Sequence, residues 1–164
     1  EALDWRFVPP TVIRDGPHGV GSVQLYVEPV DEYSYRELRV SHRLTLQRIA
    51  LLDIVVNNAD RKSSHLLKGV DGRLWGIDHG LTFHTVPKLR TVIWDYVSQT
   101  IPEPLLRDLE RLLCDRHRLD PLVNALRELL SPEEVSAFLA RAHRTLERRV
   151  YPPLHPYRNV PRGF

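Results

Sequence analysis

The spacing of apolar residues predicts a chain in which short strands come first and helices follow. Between residues 5 and 28, β-branched and aromatic runs that are broken by Pro9 and Pro10 predict two or three strands. The stretch "DGPHGVG" holds three glycines and a proline and predicts a turn between them. So small a group of strands is not stable alone, and we expect it to pack on the helices that follow or on further N-terminal material.

A long helix and a small hairpin are predicted next. Apolar residues recur at helical spacing over residues 35–56, and we expect this helix to end at Asn57. Residues 64–78 form two short runs around an Asp-Gly pair at residues 71–72, which is typical of a two-residue type I′ turn. The polar loop between helix and hairpin, "NNADRKSSHLL", therefore joins two buried elements that can hold its side chains in fixed positions.

The C-terminal half is predicted to be helical. Helical apolar stripes cover residues 89–99 and 103–117, and Asp120-Pro121 has the N-cap and first-turn proline that begin another helix. A capping box at residues 131–134 predicts the start of a last helix, which we expect to end near Val150. The remaining residues, 151–164, are proline-rich and are expected to be extended, either draped on the surface or loose.

Composition narrows the function classes. The 164 residues are enough for one domain, and 42% hydrophobic with 27% charged residues is the mix of an ordinary globular protein. The 23 basic and 21 acidic residues are interspersed, which argues against a nucleic-acid partner. A single cysteine excludes an internal disulfide. No stretch approaches the roughly 18 apolar residues of a membrane span, so we expect a cytoplasmic protein that is not an integral membrane protein.

Two carboxylates stand on either side of the predicted hairpin. Asp60 lies in the polar loop and Asp78 follows the second strand, and a hairpin returns the chain close to its starting point. Phosphoryl transfer needs one carboxylate that accepts or orients the nucleophile hydroxyl and a second that holds magnesium. Lys62 could neutralise a phosphate oxygen, and Gly80 would allow close backbone approach behind Asp78. These residues therefore predict a phosphoryl-transfer site.

These residues also carry a family resemblance. The pattern D-x-K followed by a hairpin and D-x-G resembles the catalytic loop and metal motif of the protein-kinase-like superfamily. More narrowly, "NNADRK" with "GIDHG" resembles the phosphatidylinositol 3-/4-kinase-related proteins of actinobacteria and, more distantly, HipA-type kinases. The resemblance implies that Asp60 is the catalytic base, Lys62 a γ-phosphate contact and Asp78 the principal magnesium ligand. It also implies a hinge at Glu28 and Pro29 that lines the adenine pocket.

The same resemblance implies a fold and a reaction. The expected fold is α+β and protein-kinase-like, with a mostly helical C-lobe, a small β remnant of the N-lobe and a catalytic-loop hairpin. Residues 1–30 would be the remnant and hinge, residues 31–150 the C-lobe, and residues 151–164 the tail. The expected reaction transfers the γ-phosphoryl group of ATP, with magnesium (Mg2+), to a hydroxyl of a lipid, a protein or a small molecule.

The sequence departs from the superfamily pattern at three points. His65 stands where the superfamily has a metal-binding Asn, so it is either a metal ligand beside Asp78 or a structural support. His79 replaces the usual Phe of the D-x-G motif. No Gly-rich loop and no strand lysine precede Glu28. The lysines of the chain are Lys62, Lys68 and Lys88. The sequence is therefore a fragment without its N-terminal lobe or a natural short form, and on its own it should bind nucleotide weakly.

Two other functions stay open. The chain could be a catalytically silent kinase-like module that binds a partner through its helical face or its tail. It could also be an enzyme with a transition metal. The residues for such a metal site are His65, Asp78, His79 and His84. Arg61 is expected to brace the polar loop through an ion pair, a role in which its side chain need not contact substrate.

Overall fold

The computed structural model describes residues 2–161, which form two small antiparallel hairpins and five α-helices. In chain order the elements are β1 (Thr11–Gly16), β2 (Gly19–Gln24), α1 (Tyr35–Ser41), α2 (Arg43–Val56), β3 (Leu66–Lys68), β4 (Leu74–Gly76), α3 (Glu103–Cys114), α4 (Arg116–Arg127) and α5 (Pro132–Arg148). A 3₁₀ turn, Ser63–His65, leads into β3. The predicted α+β class is confirmed.

The first hairpin is where the sequence places it, but it has fewer strands than the upper estimate. β1 pairs with β2 around a turn between Gly16 and Gly19, and both strands are exposed along their whole length. Residues 5–8 are not a strand. They pack on other elements instead, because the Phe7 carbonyl accepts from Gly76 N–H at 2.8 Å and the Trp5 indole donates to Asp108 at 2.9 Å.

The helix predicted over residues 35–56 is divided in two. His42 separates α1 from α2 and has φ of −127° and ψ of 31°, outside the helical range. Its ring contacts the Ser41 hydroxyl at 2.7 Å and the Gly72 carbonyl of the β3–β4 turn at 2.9 Å. At this break the His42 side chain contacts the β3–β4 hairpin. Helical spacing in the sequence cannot reveal such a long-range contact. The predicted C-terminal end is confirmed, since α2 ends at Val56 and is capped by Asn57.

The hydrophobic core forms around α2, which packs on α5, with α3 and the second hairpin completing the layer. The largest fully buried apolar side chains are Leu38, Leu46, Ile49, Leu51, Leu66, Ile101, Leu105, Leu106 and Leu109. Because α2 is buried over much of its surface, the position of its C-terminal end is fixed. The polar loop begins at that end. Among residues 2–161, no helix combines the length and the apolar composition needed to cross a membrane.

The β3–β4 hairpin is confirmed, but its turn is of a different type. Gly69 N–H donates to the Arg73 carbonyl at 2.9 Å, and Gly72 N–H donates to the Gly69 carbonyl at 2.9 Å. Of the Asp71-Gly72 pair, only Gly72 has a positive φ, 76°. A type I′ turn requires positive φ at both residues, so the prediction was wrong. The loop has three residues, with a type I turn followed by a left-handed glycine.

The helix predicted over residues 89–99 is not present. Thr91 N–H donates to Asn159 and Val92 N–H to Arg61, so distant residues take these backbone donors. The Thr91 hydroxyl accepts from Ile93 N–H at 3.0 Å, and the Trp94 indole donates to the Thr91 carbonyl at 2.7 Å. Consecutive β-branched residues also weaken helix formation here. The segment is therefore irregular and held by tertiary contacts.

The predicted start of α4 was also wrong. The helix begins at Arg116, because the Asp115 carboxylate caps it by accepting from His117 N–H at 2.9 Å, and Pro121 lies inside the helix. The capping box of Ser131 and Glu134 is confirmed at the start of α5.

The described part of the tail is draped on the surface. Asn159 anchors it, with its side chain donating to the Leu89 carbonyl at 2.6 Å. Tyr151, at the start of the tail, is buried in the core. Residues 162–164 of the predicted tail lie outside the described residues.

Candidate active site

Asn57 fixes the point at which the polar loop leaves α2. It adopts left-handed backbone angles, with φ of 57° and ψ of 50°, which Asn tolerates better than most residues. Its side-chain amide donates to the His84 and Val86 carbonyls, each at 2.8 Å, and its oxygen accepts from Lys88 N–H at 2.8 Å. The end of the helix is thus bound to the segment that follows the D-x-G motif.

A buried ion pair lies beneath the loop. Arg61 and Asp53 are both fully buried, and the guanidinium contacts the carboxylate through two bonds of 2.9 Å each. The Asn58 amide donates to the same carboxylate at 2.9 Å. The prediction that Arg61 braces the loop is confirmed. Sequence reasoning missed Asp53 and Asn58, although one signal was present: a single acidic residue within the apolar run "RIALLDIVV".

The same guanidinium joins the loop to the hairpin. The third guanidinium nitrogen of Arg61 donates to the Ile77 carbonyl at 2.7 Å and reaches the His65 carbonyl at 3.5 Å. Arg61 directly follows Asp60 in the chain, and Ile77 directly precedes Asp78. One buried side chain therefore holds together the two backbone positions that carry the predicted catalytic acids.

Asp60 and Lys62 form a partly exposed ion pair. The Lys62 ammonium lies 3.1 Å from an Asp60 carboxylate oxygen, with the two side chains 30% and 22% exposed. Asp60 N–H donates to the Asn58 side-chain oxygen at 3.0 Å, which fixes the backbone at this position. The two predicted residues therefore lie side by side in a partly exposed position.

His65 and Asp78 form the second polar pair. The Nε2 atom of His65 lies 3.3 Å from an Asp78 carboxylate oxygen, and the Asp78 side chain is 60% exposed. Asp78 has φ of 53°, a left-handed conformation that costs free energy in a non-glycine residue. Burial lowers the pKa of His65, and the charges of Asp78 and Asp60 oppose that shift. Both predicted acids thus lie within electrostatic reach of one neutral imidazole.

A cleft of about 600 Å³ opens in front of Asp78. Its lining combines the D-x-G segment (Asp78, His79 and Gly80), polar side chains of the first hairpin (Thr11, Ser22 and Gln24) and the apolar residues Val8, Leu52, Val56 and Phe83. Asp60 is not part of this lining. Of the two predicted acids, Asp78 therefore lines this cleft and Asp60 does not.

His79 lies at the edge of this cleft and is largely buried. Burial lowers its pKa to about 4, and the Arg61 charge acts in the same direction. Its Nε2 atom is buried and has no hydrogen-bond partner among the described residues. The His79 ring is therefore neutral near pH 7 and lies at the cleft edge without a charge.

Glu28 is placed apart from the two acids. Its carbonyl accepts from Val70 N–H at 3.0 Å, and Pro29 forms a bridge with Gly69. The predicted hinge thus crosses the turn of the second hairpin. Gly69 is closely packed, since a Cβ there would lie 2.5 Å from an Asp71 carboxylate oxygen and 3.1 Å from Val27. The hinge prediction for Glu28 stays a prediction.

Side chains alone do not form a metal site in the part of the chain that the structure describes. Within residues 2–161, no group of three or more His, Cys, Asp and Glu side chains is arranged to hold a metal ion. Magnesium binds commonly through one or two protein carboxylates and completes its shell with water and phosphate oxygens. The exposed carboxylate of Asp78 meets that requirement, whereas a protein-only site of His65, Asp78, His79 and His84 is not formed.

These elements define an α+β domain in which one acid, Asp60, lies on a loop and a second, Asp78, follows the adjoining hairpin. The chain matches no family model. It is similar to a curated protein from Mycobacterium tuberculosis (strain ATCC 25618 / H37Rv), Protein Rv2133c, with 32% identity over 194 aligned residues that cover 97% of this chain and 69% of the relative. The chain belongs to the family of that protein.

Proposed function

We propose that this chain is a kinase-like phosphotransferase domain that moves the γ-phosphoryl group of ATP to a hydroxyl acceptor. The observation that carries the proposal is the Arg61 anchor, which binds the Asp53 carboxylate and the Ile77 carbonyl at once. Phosphoryl transfer is catalysed mainly by positioning and charge stabilisation. A rigid connection between the loop of Asp60 and the motif of Asp78 supplies that positioning.

Each polar residue has a role in this proposal. Asp60 accepts the proton of the acceptor hydroxyl as the oxygen of that hydroxyl bonds to the γ-phosphorus. The bond between the γ-phosphorus and the bridging β-phosphate oxygen breaks, and ADP leaves. Lys62, now 3.1 Å from Asp60, moves to a γ-phosphate oxygen when nucleotide is bound. Asp78 would hold Mg2+, and the bound ion would neutralise phosphate charge. Asp78 is open to the 600 Å³ cleft, which has room for a polyphosphate.

The proposed fold is the helical C-lobe of a kinase with a β remnant above it. The exposed β1–β2 hairpin would be part of the upper lobe, and the segment at Glu28 would be the hinge to the lobe of α1–α5. Neither strand carries a lysine, so no ammonium from this hairpin clamps the phosphates. We therefore expect weak nucleotide binding by this chain. The acceptor would be a lipid, a protein or a small molecule with a free hydroxyl.

Thermal unfolding with nucleotide tests the proposal. The melting temperature of the chain should rise with ATP and Mg2+ together, and less with either alone, because a ligand that binds the folded state stabilises it by mass action. Asp78→Ala should remove the rise. The matched control is Asp31→Ala, an exposed acid on a loop outside the site. Stabilisation by zinc or manganese without nucleotide would favour a metal enzyme, and no response to either would favour a silent binding module.

A further inference from the structure

His65 faces two different groups with its two ring nitrogens. Its Nδ1 atom accepts a hydrogen bond from the backbone N–H of Lys62 at 3.4 Å, beside the backbone bond from His65 N–H to the Lys62 carbonyl that closes the 3₁₀ turn. Its Nε2 atom lies 3.3 Å from the Asp78 carboxylate. An imidazole nitrogen that accepts a hydrogen bond cannot carry a proton, so in the neutral ring the proton is on Nε2.

This arrangement is the reverse of the usual metal-binding histidine. A ligating histidine presents the lone pair of one nitrogen to the metal and donates the other N–H to a carboxylate, a carbonyl or water. Here the nitrogen away from the site receives an N–H, and the nitrogen at the site carries the hydrogen. The Nε2–H of His65 therefore lies near the Asp78 carboxylate, with 3.3 Å between nitrogen and oxygen, as an electrostatic contact and not as a hydrogen bond of regular geometry.

Asp78 needs such a support. Its side chain is 60% exposed, and among the described residues its one ion-pair contact is with His65, so little else restricts its carboxylate. The His65 side chain, in contrast, is only 10% exposed, and its carbonyl is reached by the buried Arg61. A fixed ring next to a loosely held carboxylate can orient that carboxylate toward the cleft.

We propose that His65 is a positioning residue that orients the Asp78 carboxylate through its Nε2–H and is not itself a metal ligand. This inference rests on the proposed function for its purpose, since the oriented carboxylate is the one that would hold Mg2+. The protein then contributes a carboxylate oxygen and no nitrogen to the ion, and water and phosphate oxygens complete the shell. An all-oxygen shell favours Mg2+ over zinc.

The first test examines the tautomer of His65 and needs neither nucleotide nor activity. Long-range ¹H–¹⁵N correlation spectra of the metal-free chain should show His65 protonated at Nε2 and unprotonated at Nδ1. The spectrum of His65→Gln, which lacks the His65 signals, assigns them among the eight histidines. The same tautomer should persist when Mg2+ and ATP are added. Protonation at Nδ1, or loss of the Nε2 proton on addition of Mg2+ and ATP, would overturn the inference.

A pair of substitutions tests the role separately. The amide of His65→Gln reaches the position of Nε2 and can still donate to Asp78, whereas the shorter side chain of His65→Asn cannot. His65→Asn instead restores the superfamily's metal-binding residue. If His65 positions Asp78, His65→Gln should keep the Mg2+ dependence of ATP-induced stabilisation, and His65→Asn should weaken the apparent Mg2+ affinity about 10-fold to 100-fold, as loss of a supporting residue does.

The opposite ranking, with Asn retaining Mg2+ affinity and Gln losing it, would show a ligand and overturn the inference. Both variants are first melted without ligands to establish that they fold. If the native chain shows no response to ATP and Mg2+, the proposed function fails. The tautomer of His65, measured without ligands, still tests whether its Nε2–H faces Asp78.

Discussion

Replacing Asp53 with Asn should be among the most destabilising single changes in the chain. The substitution keeps the size of the side chain but removes the charge that neutralises Arg61. Arg61 is fully buried, and both of its 2.9 Å bonds to Asp53 depend on carboxylate oxygens. An amide group can accept from only one side, so one N–H of the guanidinium would then face the N–H₂ of the new residue.

The size of the effect follows from burial. Removing one partner of a buried ion pair costs about 3–5 kcal/mol, because the other charge stays buried without compensation. The Asn58 amide donates to the same carboxylate oxygen as one of the two Arg61 bonds, so the oxygen that the substituted side chain keeps can still accept both, and the estimate stays at the middle of that range. For a protein of this length, about 4 kcal/mol is a large part of a typical total stability of about 5–15 kcal/mol.

Urea unfolding followed by circular dichroism measures this change. With a slope of about 2 kcal/mol per molar urea, the midpoint should fall by about 2 M. Asp31→Asn, the same chemical change at an exposed position, should shift it by less than about 0.3 M. A double variant, Asp53→Leu with Arg61→Met, should recover much of the loss, since it removes both charges. A midpoint for Asp53→Asn within about 0.3 M of the native value would refute the reasoning.

Three further changes test other parts of the structure. Burial lowers the pKa of His79 to about 4, so as the pH falls the unfolded state binds a proton at this residue before the folded state does. The stability that this difference contributes is complete above about pH 6.5, is lost toward pH 4 and amounts to at most about 3 kcal/mol. His79→Phe should therefore make the urea midpoint depend less on pH across that range. Unchanged pH dependence in that variant would contradict the assignment. Gly69→Ala would place a Cβ 2.5 Å from a carboxylate oxygen and should lower the free energy of unfolding in urea by about 1–3 kcal/mol. In the control Gly21→Ala, the new Cβ has nothing within 4 Å, and the free energy of unfolding should stay within about 1 kcal/mol of the native value. Equal effects of the two substitutions would argue against the packing described. Ser131→Ala removes the N-cap of α5 and should lower the melting temperature, by the amount that a loss of about 1 kcal/mol in stability produces. Ser136→Ala, on the exposed face of the same helix, should not lower it. A melting temperature for Ser131→Ala equal to that of the native chain would show that the cap contributes nothing.

Local signals in the sequence predicted the elements whose partners are close in the chain. The capping box of Ser131 and Glu134, the end of α2 at Asn57 and the hairpin around Gly72 each depend on residues only a few positions apart. Segments held by distant partners were predicted wrongly. Residues 89–99 bind the tail through Asn159 and the loop through Arg61, and these contacts outweigh an apolar spacing that resembles a helix.

The candidate site could be predicted in its residues but not in its support. Asp60, Lys62 and Asp78 stand out because polar side chains at the ends of a hairpin suggest a shared location. The group that joins them is the Asp53–Arg61 pair, whose members lie eight residues apart on opposite sides of a left-handed turn at Asn57. Only the folded chain shows that the guanidinium continues to the Ile77 carbonyl.

Paramagnetic broadening with manganese, used at low concentration as a magnesium substitute, tests the central claim most directly. In the presence of ATP, a bound Mn²⁺ ion should broaden the amide signals of Asp60 and Asp78 together, and leave those of Glu133 and Glu134 at the start of α5 sharp. Broadening of both loop positions would mean that one metal–nucleotide complex lies between them. Broadening at only one of the two, or at acids elsewhere on the surface, would contradict a shared phosphoryl-transfer site.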